Sequence, residues 1–102
     1  MYKLVSTEII ARGKQAEDKA WRRKQAKRLE ALGLPAPKVY AVQFRETRLV
    51  FIEVGEFETW EEGMAWGKQF REDEELQRLE RERAEKAMVV EGSQEDYLLT
   101  DY

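Results

Sequence analysis

The chain has 102 residues, 18 basic and 21 acidic side chains, a net charge of −3, and neither cysteine nor histidine. That length supports one domain over residues 1–102, and 42% hydrophobic with 38% charged residues describes a folded chain. Without Cys or His, disulfides, thiolate catalysis, iron–sulfur clusters, zinc sites and the usual general base are excluded.

Residues 2–10 read as a strand, because Tyr2, Val5, Thr7, Ile9 and Ile10 supply β-formers. Arg12-Gly13-Lys14 ends it. Residues 14–32 are rich in Ala, Gln, Lys, Arg, Glu and Leu, which predicts a helix stopped by Gly33 and kept closed by Pro35 and Pro37. Ala16, Ala20, Trp21, Ala31 and Leu32 fall on one broad arc of it, shared with Lys24 and Arg28, whose stems can cover apolar surface.

Residues 38–45 and 48–55 are the clearest strands, joined by a turn at Arg45-Glu46-Thr47-Arg48. Leu49-Val50-Phe51-Ile52 is apolar on both faces, as in a strand covered on both sides. One layer of helices covers only one of them. Thr59-Trp60-Glu61-Glu62 is a capping box that starts a second helix near Trp60. Gly63 and Gly67 lie four apart in it, which points to a close approach, since glycine weakens a helix by about 1 kcal/mol. Asp73 caps a further helix over 74–88, with Leu76, Leu79 and Ala87 on its inner stripe. Residues 95–102 read as a last strand.

The order β-α-β-β-α-(α)-β is the split βαβ, ferredoxin-like pattern, with helices on one face of a four-stranded antiparallel sheet. The other sheet face is left bare and apolar, so a homodimer packed sheet to sheet as a barrel is expected.

Charge is unevenly spread. Residues 12–28 hold eight basic side chains against Glu17 and Asp18, and residues 53–75 hold nine acidic ones against Lys68 and Arg71. The two runs are either solvated helix faces or surfaces that meet in a partner subunit. The acidic total argues against nucleic acid. So does the third strand, Arg48-Leu49-Val50-Phe51-Ile52-Glu53-Val54, which has aliphatic residues where RNA-recognition domains place glycine and stacking aromatics. No apolar run approaches the length of a membrane span. The N-terminal residues show no secretion signal, so a soluble, cytoplasmic protein is expected.

Carboxylates within apolar strands are the acid/base candidates: Glu8 in the first strand and Glu53 in the third, which are neighbours in this topology. Burial would raise their pKa toward working pH, unless they face solvent or pair with Arg or Lys. Tyr40, Gln43 and Trp66 are the candidate ligand contacts. Gln43 either faces a ligand or sits on an exposed edge, and Trp66 either stacks on a ligand or packs in the core. Glu72-Asp73-Glu74-Glu75 lacks the alternation and glycine of a calcium loop, so no metal site is expected.

Taken together, Arg12-Gly13-Lys14, the 39–44 and 49–54 hairpin, Phe57-Glu58-Thr59-Trp60-Glu61-Glu62, and the segment from Phe70 to Gln77 resemble the dimeric α/β-barrel proteins. That group includes antibiotic-biosynthesis-monooxygenase-like and NIPSNAP-like proteins, and the resemblance covers nearly the whole chain. It implies cofactor-free oxygenase or isomerase chemistry on a small, partly apolar ligand held between sheet and helices. Haem-binding members use a His ligand that this chain lacks, so no cofactor is expected. The competing reading is a non-enzymatic dimeric interaction module whose barrel is filled by side chains.

Overall fold

In the computed structural model, which describes residues 1–44 and 47–100, a four-stranded antiparallel sheet carries three helices on one face. The side chains of residues 42–44, 47–49 and 51 lie outside that description. The elements are β1 (Tyr2–Ile9), α1 (Gln15–Ala31), β2 (Lys38–Phe44), β3 (Thr47–Phe57), α2 (Trp60–Glu72), α3 (Glu74–Glu85) and β4 (Glu95–Thr100). The sheet order is β2-β3-β1-β4, with every neighbouring pair antiparallel. This is the ferredoxin-like α+β fold expected from the element order, its second helix broken at Asp73.

Local chemistry accounts for the breaks. Gly33 takes φ +72°, a left-handed backbone open to glycine, and closes α1. The Thr59 hydroxyl accepts the Glu62 N–H at the start of α2, while the Glu62 carboxylate accepts the Glu58 N–H. Asp73 ends α2 in an extended conformation and accepts the Leu76 N–H, so one residue terminates α2 and caps α3.

Strand register decides which side chains enter the core. Glu8 lies opposite Val50 and Ser6 opposite Ile52, and all four are buried on the helix-bearing side. Ile10, Val50 and Ile52 form one buried cluster there, with Val54 and Val89 against it. The pairing then jumps from Val5–Glu53 to Leu4–Gly55. This bulge restarts the alternation, so Phe57, two residues beyond the expected strand end, also turns inward. Its ring lies so close to Gly55 and Gly63 that an added Cβ would meet it at 3.1 and 3.3 Å respectively. That is the packing reason for a glycine inside α2 at Gly63.

Two sequence expectations are corrected. Ala87 is not on the α3 stripe, because the helix ends at Glu85 and Ala87 adopts φ +49°. Met88 takes the core place instead, packed with Trp21 and Leu79. On α1 the buried residues are Asp18, Trp21 and Leu29, while Ala16, Ala31 and Leu32 are exposed. The inner face of α1 is thus defined by charged and mixed residues rather than by the alanine arc. The basic run is also partly answered within the chain: Arg28 bonds Asp73 at 2.6 and 3.0 Å, and Lys24 lies 3.4 Å from Glu82. The Arg45–Arg48 turn falls on residues 45 and 46, outside the described residues.

Candidate functional site between sheet and helices

Two adjoining cavities separate the sheet from its helices. The first, of ≈ 280 Å³, is apolar and lies under α2, with Tyr2, Phe57, Trp60, Met64 and Leu98 on its walls. The second, of ≈ 260 Å³, lies between β1, α1 and α3 and is lined by Ser6, Glu8, Arg22, Gln25, Glu80 and Arg83. Leu4, Trp66 and Phe70 line both. Trp66 and Phe70 stack with ring centroids 5.3 Å apart and planes at 19°, forming the wall between the two.

The polar cavity is organised by a buried ionic network. The Glu8 carboxylate, 1% exposed, accepts hydrogen bonds from Arg22 Nη2 and from both Arg83 Nη atoms. Asp18 accepts from Arg22 Nε at 2.8 Å and from Arg83 Nη2 at 3.1 Å. Arg83 also lies over the Trp21 ring, 4.5 Å from its centroid, while the Trp21 indole donates to the Leu79 carbonyl at 2.6 Å. Two carboxylates and two guanidinium groups therefore balance in charge.

Burial pushes the Glu8 carboxyl up, but the Arg83 hydrogen bonds and the Arg83 and Arg22 charges outweigh it and hold the carboxyl below the ordinary glutamate value. The expected rise toward working pH is thus reversed at Glu8, because its partners are two cations. Glu80 behaves oppositely. Burial dominates there, and the carboxyl is pushed up despite the opposing Arg83 charge. Among the described residues its carboxylate accepts a hydrogen bond from Gln25 Nε2 at 3.2 Å and forms no ion pair.

The two shifts fix the expected pH dependence. Glu8 is depressed, so its stabilisation is full above 4.5, the free glutamate value, and is lost as pH falls through that value toward the folded one. Glu80 is raised, so its contribution is present below 4.5 and lost as pH rises through its folded value. Thermal unfolding across pH should show a gain in Tm on mild acidification and a loss below 4.5. Glu80→Gln should remove the first limb and leave the second.

Among the described residues, the buried side-chain polar atoms with no hydrogen-bond partner are Ser6 Oγ, Trp66 Nε1 and Arg83 Nε. All three residues line the polar cavity. Each of these atoms carries a hydrogen to donate, and buried donors without acceptors are costly, at about 1–3 kcal/mol each. Chemically, such donors can answer an acceptor oxygen, and the adjoining apolar cavity can cover hydrocarbon.

Sequence reasoning placed two of its five candidates here. Glu8 and Trp66 line the polar cavity. Glu53 and Tyr40 lie on the opposite sheet face, where Glu53 pairs with Lys3 at 3.2 Å and Tyr40 is 54% exposed. Although β1 and β3 are neighbours, Glu8 and Glu53 point to opposite sides of the sheet. Gln43 pairs through its backbone with Arg48, and its side chain lies outside the described residues. Ser6, Gln25, Glu80 and Arg83 were missed. The signal for two of them was present: Leu76, Leu79, Glu80 and Arg83 follow helical spacing, so the apolar stripe of α3 continues into Glu80 and Arg83. Among the described residues no cluster of three or more carboxylates could hold a metal, and no helix is long and apolar enough to cross a membrane.

The whole chain aligns with a crystal structure of antibiotic biosynthesis monooxygenase at a TM-score of 0.69, covering 100% of this chain and 99% of the other. Sequence identity is 17%, so the likeness is one of fold. The architecture is that of the antibiotic-biosynthesis-monooxygenase-like, ferredoxin-like proteins, as the sequence resemblance implied. No protein-family model matches the sequence, nor does any curated protein.

Proposed function

We propose that the protein binds a small, neutral, partly apolar molecule carrying a ketone-like oxygen, and transfers a proton on it without a cofactor. The observation carrying this is that Ser6, Trp66 and Arg83, each with a buried donor atom unpartnered among the described residues, line the cavity that also holds Glu80. The charges of Glu8, Asp18, Arg22 and Arg83 cancel and the remaining titratable lining groups, Glu80 and Asp96, are acidic, so the cavity offers no uncompensated cation to an anionic ligand. The apolar annex under α2 takes the rest of the molecule.

In this reading Glu80 accepts a proton from the carbon beside the carbonyl, and the negative charge moves to the oxygen held by the three donors. Return of that proton to another carbon gives an isomer. Attack of the same carbanion on dioxygen, the two-electron oxidant, forms a C–O bond and a peroxide anion that takes the proton back from Glu80 to give a hydroperoxide, so both reactions suggested by the fold resemblance share one first step. Glu8 holds Arg83 in place rather than moving the proton.

Two copies pack through their bare sheet faces, which carry Tyr40, Tyr97 and Leu99, the last 50% exposed. Glu53 and Tyr40 belong to that interface. A cytoplasmic setting fits the absence of cysteine. Native mass spectrometry should give twice 12.1 kDa, and Leu99→Asp should give a folded monomer. A wild-type monomer would remove the barrel from the account.

The ligand reading is tested by thermal shift against neutral aryl ketones, quinones and matched hydrocarbons. At a ligand concentration near 100 Kd the stabilisation is about 2.7 kcal/mol, or roughly 10 °C or more for a chain of this length. Ser6→Ala and Trp66→Phe should reduce the shift for ketones alone. Glu80→Gln should keep binding and abolish proton exchange. No shift with any ketone would favour the side-chain-filled interaction module.

A further inference from the structure

A third hollow, of ≈ 360 Å³, lies outside the central site, between α1 and the edge strand β2. Its apolar floor comes from Ile10, Val39, Ala41 and Val50. Val39 pairs with Ile52 and so points to the helix-bearing side, yet it is 42% exposed. The floor is therefore left open along one edge.

The rim is cationic. Lys19 and Arg23 sit four apart on α1, on one edge of the groove, and both are exposed. Among the described residues neither has an ion-pair partner. The acidic side chain of the lining, Asp18, is already held by Arg22 and Arg83. An apolar trough with two uncompensated cations at its lip is complementary to a molecule with an apolar tail and an anionic head.

We propose that this groove is a second binding site, for a single-chain anionic amphiphile such as a medium-chain carboxylate or alkyl phosphate. The tail lies on Val39, Ala41 and Val50, and the head reaches Lys19 and Arg23. The site differs from the central cavity in the cations it offers: two uncompensated ones here, none there. Occupation would cover the exposed side of β2, an edge that otherwise offers itself to pairing with other chains.

The test is a ¹⁵N NMR titration of the wild-type protein with decanoate, decanol and decyltrimethylammonium, each below its micelle concentration. Decanoate is expected to shift the amides of Lys19, Arg23, Val39 and Ala41 saturably, decanol more weakly, and the cation not at all. The double variant Lys19→Glu/Arg23→Glu should bind decanoate about tenfold more weakly, as expected for reversal of two exposed charges, with an unchanged Tm. Equal affinity for decanol and decanoate would overturn the proposal. So would undiminished binding by the double variant, or shifts confined to Tyr2, Trp60 and Met64 in the apolar cavity. Absence of any shift would mean that the groove is closed to ligands, for instance by a second copy, and would overturn it too. Apart from shifts at Tyr2, Trp60 and Met64, which would report a ligand in the apolar annex, these results leave the central reading untouched, since occupation of its polar cavity is read at Trp66.

Discussion

Glu8→Gln is expected to lower stability by about 3–5 kcal/mol, the usual result of removing one partner from a buried ionic cluster. The carboxylate is 1% exposed and is the meeting point of Arg22 and Arg83. Glutamine keeps the shape but removes the charge and points an amide group at two guanidinium groups. Asp18 would then face both cations alone. For a chain of about 100 residues such a loss lowers Tm by roughly 12 °C or more. Glu72→Gln provides the internal comparison, because Glu72 and its partner Lys68 are both exposed on α2 and such surface pairs contribute little. Thermal and urea unfolding of the two variants should therefore differ severalfold. Equal losses would mean that the Glu8 network is not a buried cluster.

Ile52→Asp is expected to abolish folding. Ile52 is buried with Ile10 and Val50 beneath the helices, opposite Ser6. A carboxylate placed there loses that apolar burial, and the cations that share its cavity, Arg22 and Arg83, are already held by Glu8 and Asp18, so the added buried charge is uncompensated and costs several kcal/mol more. Total stability of small domains is only about 5–15 kcal/mol. Circular dichroism and gel filtration should report an unfolded or aggregated chain. The contrast is Leu99→Asp on the bare face, which should leave a folded chain and act on association alone. A cooperatively folded Ile52→Asp protein would show that the inward face of β3 has been misassigned.

Secondary structure was largely legible in the sequence because its punctuation is chemical. Gly33, the Thr59 capping box and Asp73 each end or start a helix where their side-chain or backbone chemistry requires. The sheet was legible from β-branched runs, but its end was not. The bulge between Leu4 and Val5 is a property of two strands pairing, and neither strand alone announces it.

The site was harder to read, for a different reason. Looking for apolar stripes hides a core built on charge. Asp18 and Arg22 belong to a run that reads as a solvated helix face or a partner surface, and Arg83 was not among the sequence candidates, yet all three point inward because Glu8 on β1 faces them. Only the pairing of three distant segments makes that burial tolerable. The same pairing explains why Glu8 takes the second of the two readings open to it, a carboxylate paired with arginine and lowered in pKa rather than raised by burial. Glu80 has the shift that Glu8 was expected to have, since it shares the burial without the direct arginine bonds.

The three tryptophans offer the most direct reading of the central claim. Trp21 donates to the Leu79 carbonyl, Trp60 is 51% exposed, and Trp66 holds a buried, unpartnered indole N–H at the cavity. In a ¹H–¹⁵N spectrum their three indole resonances can be followed while a neutral aryl ketone is titrated in. The account predicts a downfield, saturable movement of the Trp66 indole proton as it gains an acceptor, with Trp21 unmoved. A ketone that stabilises the protein while moving only Trp60, or none of the three, would contradict the assignment of this cavity as the oxygen-binding site.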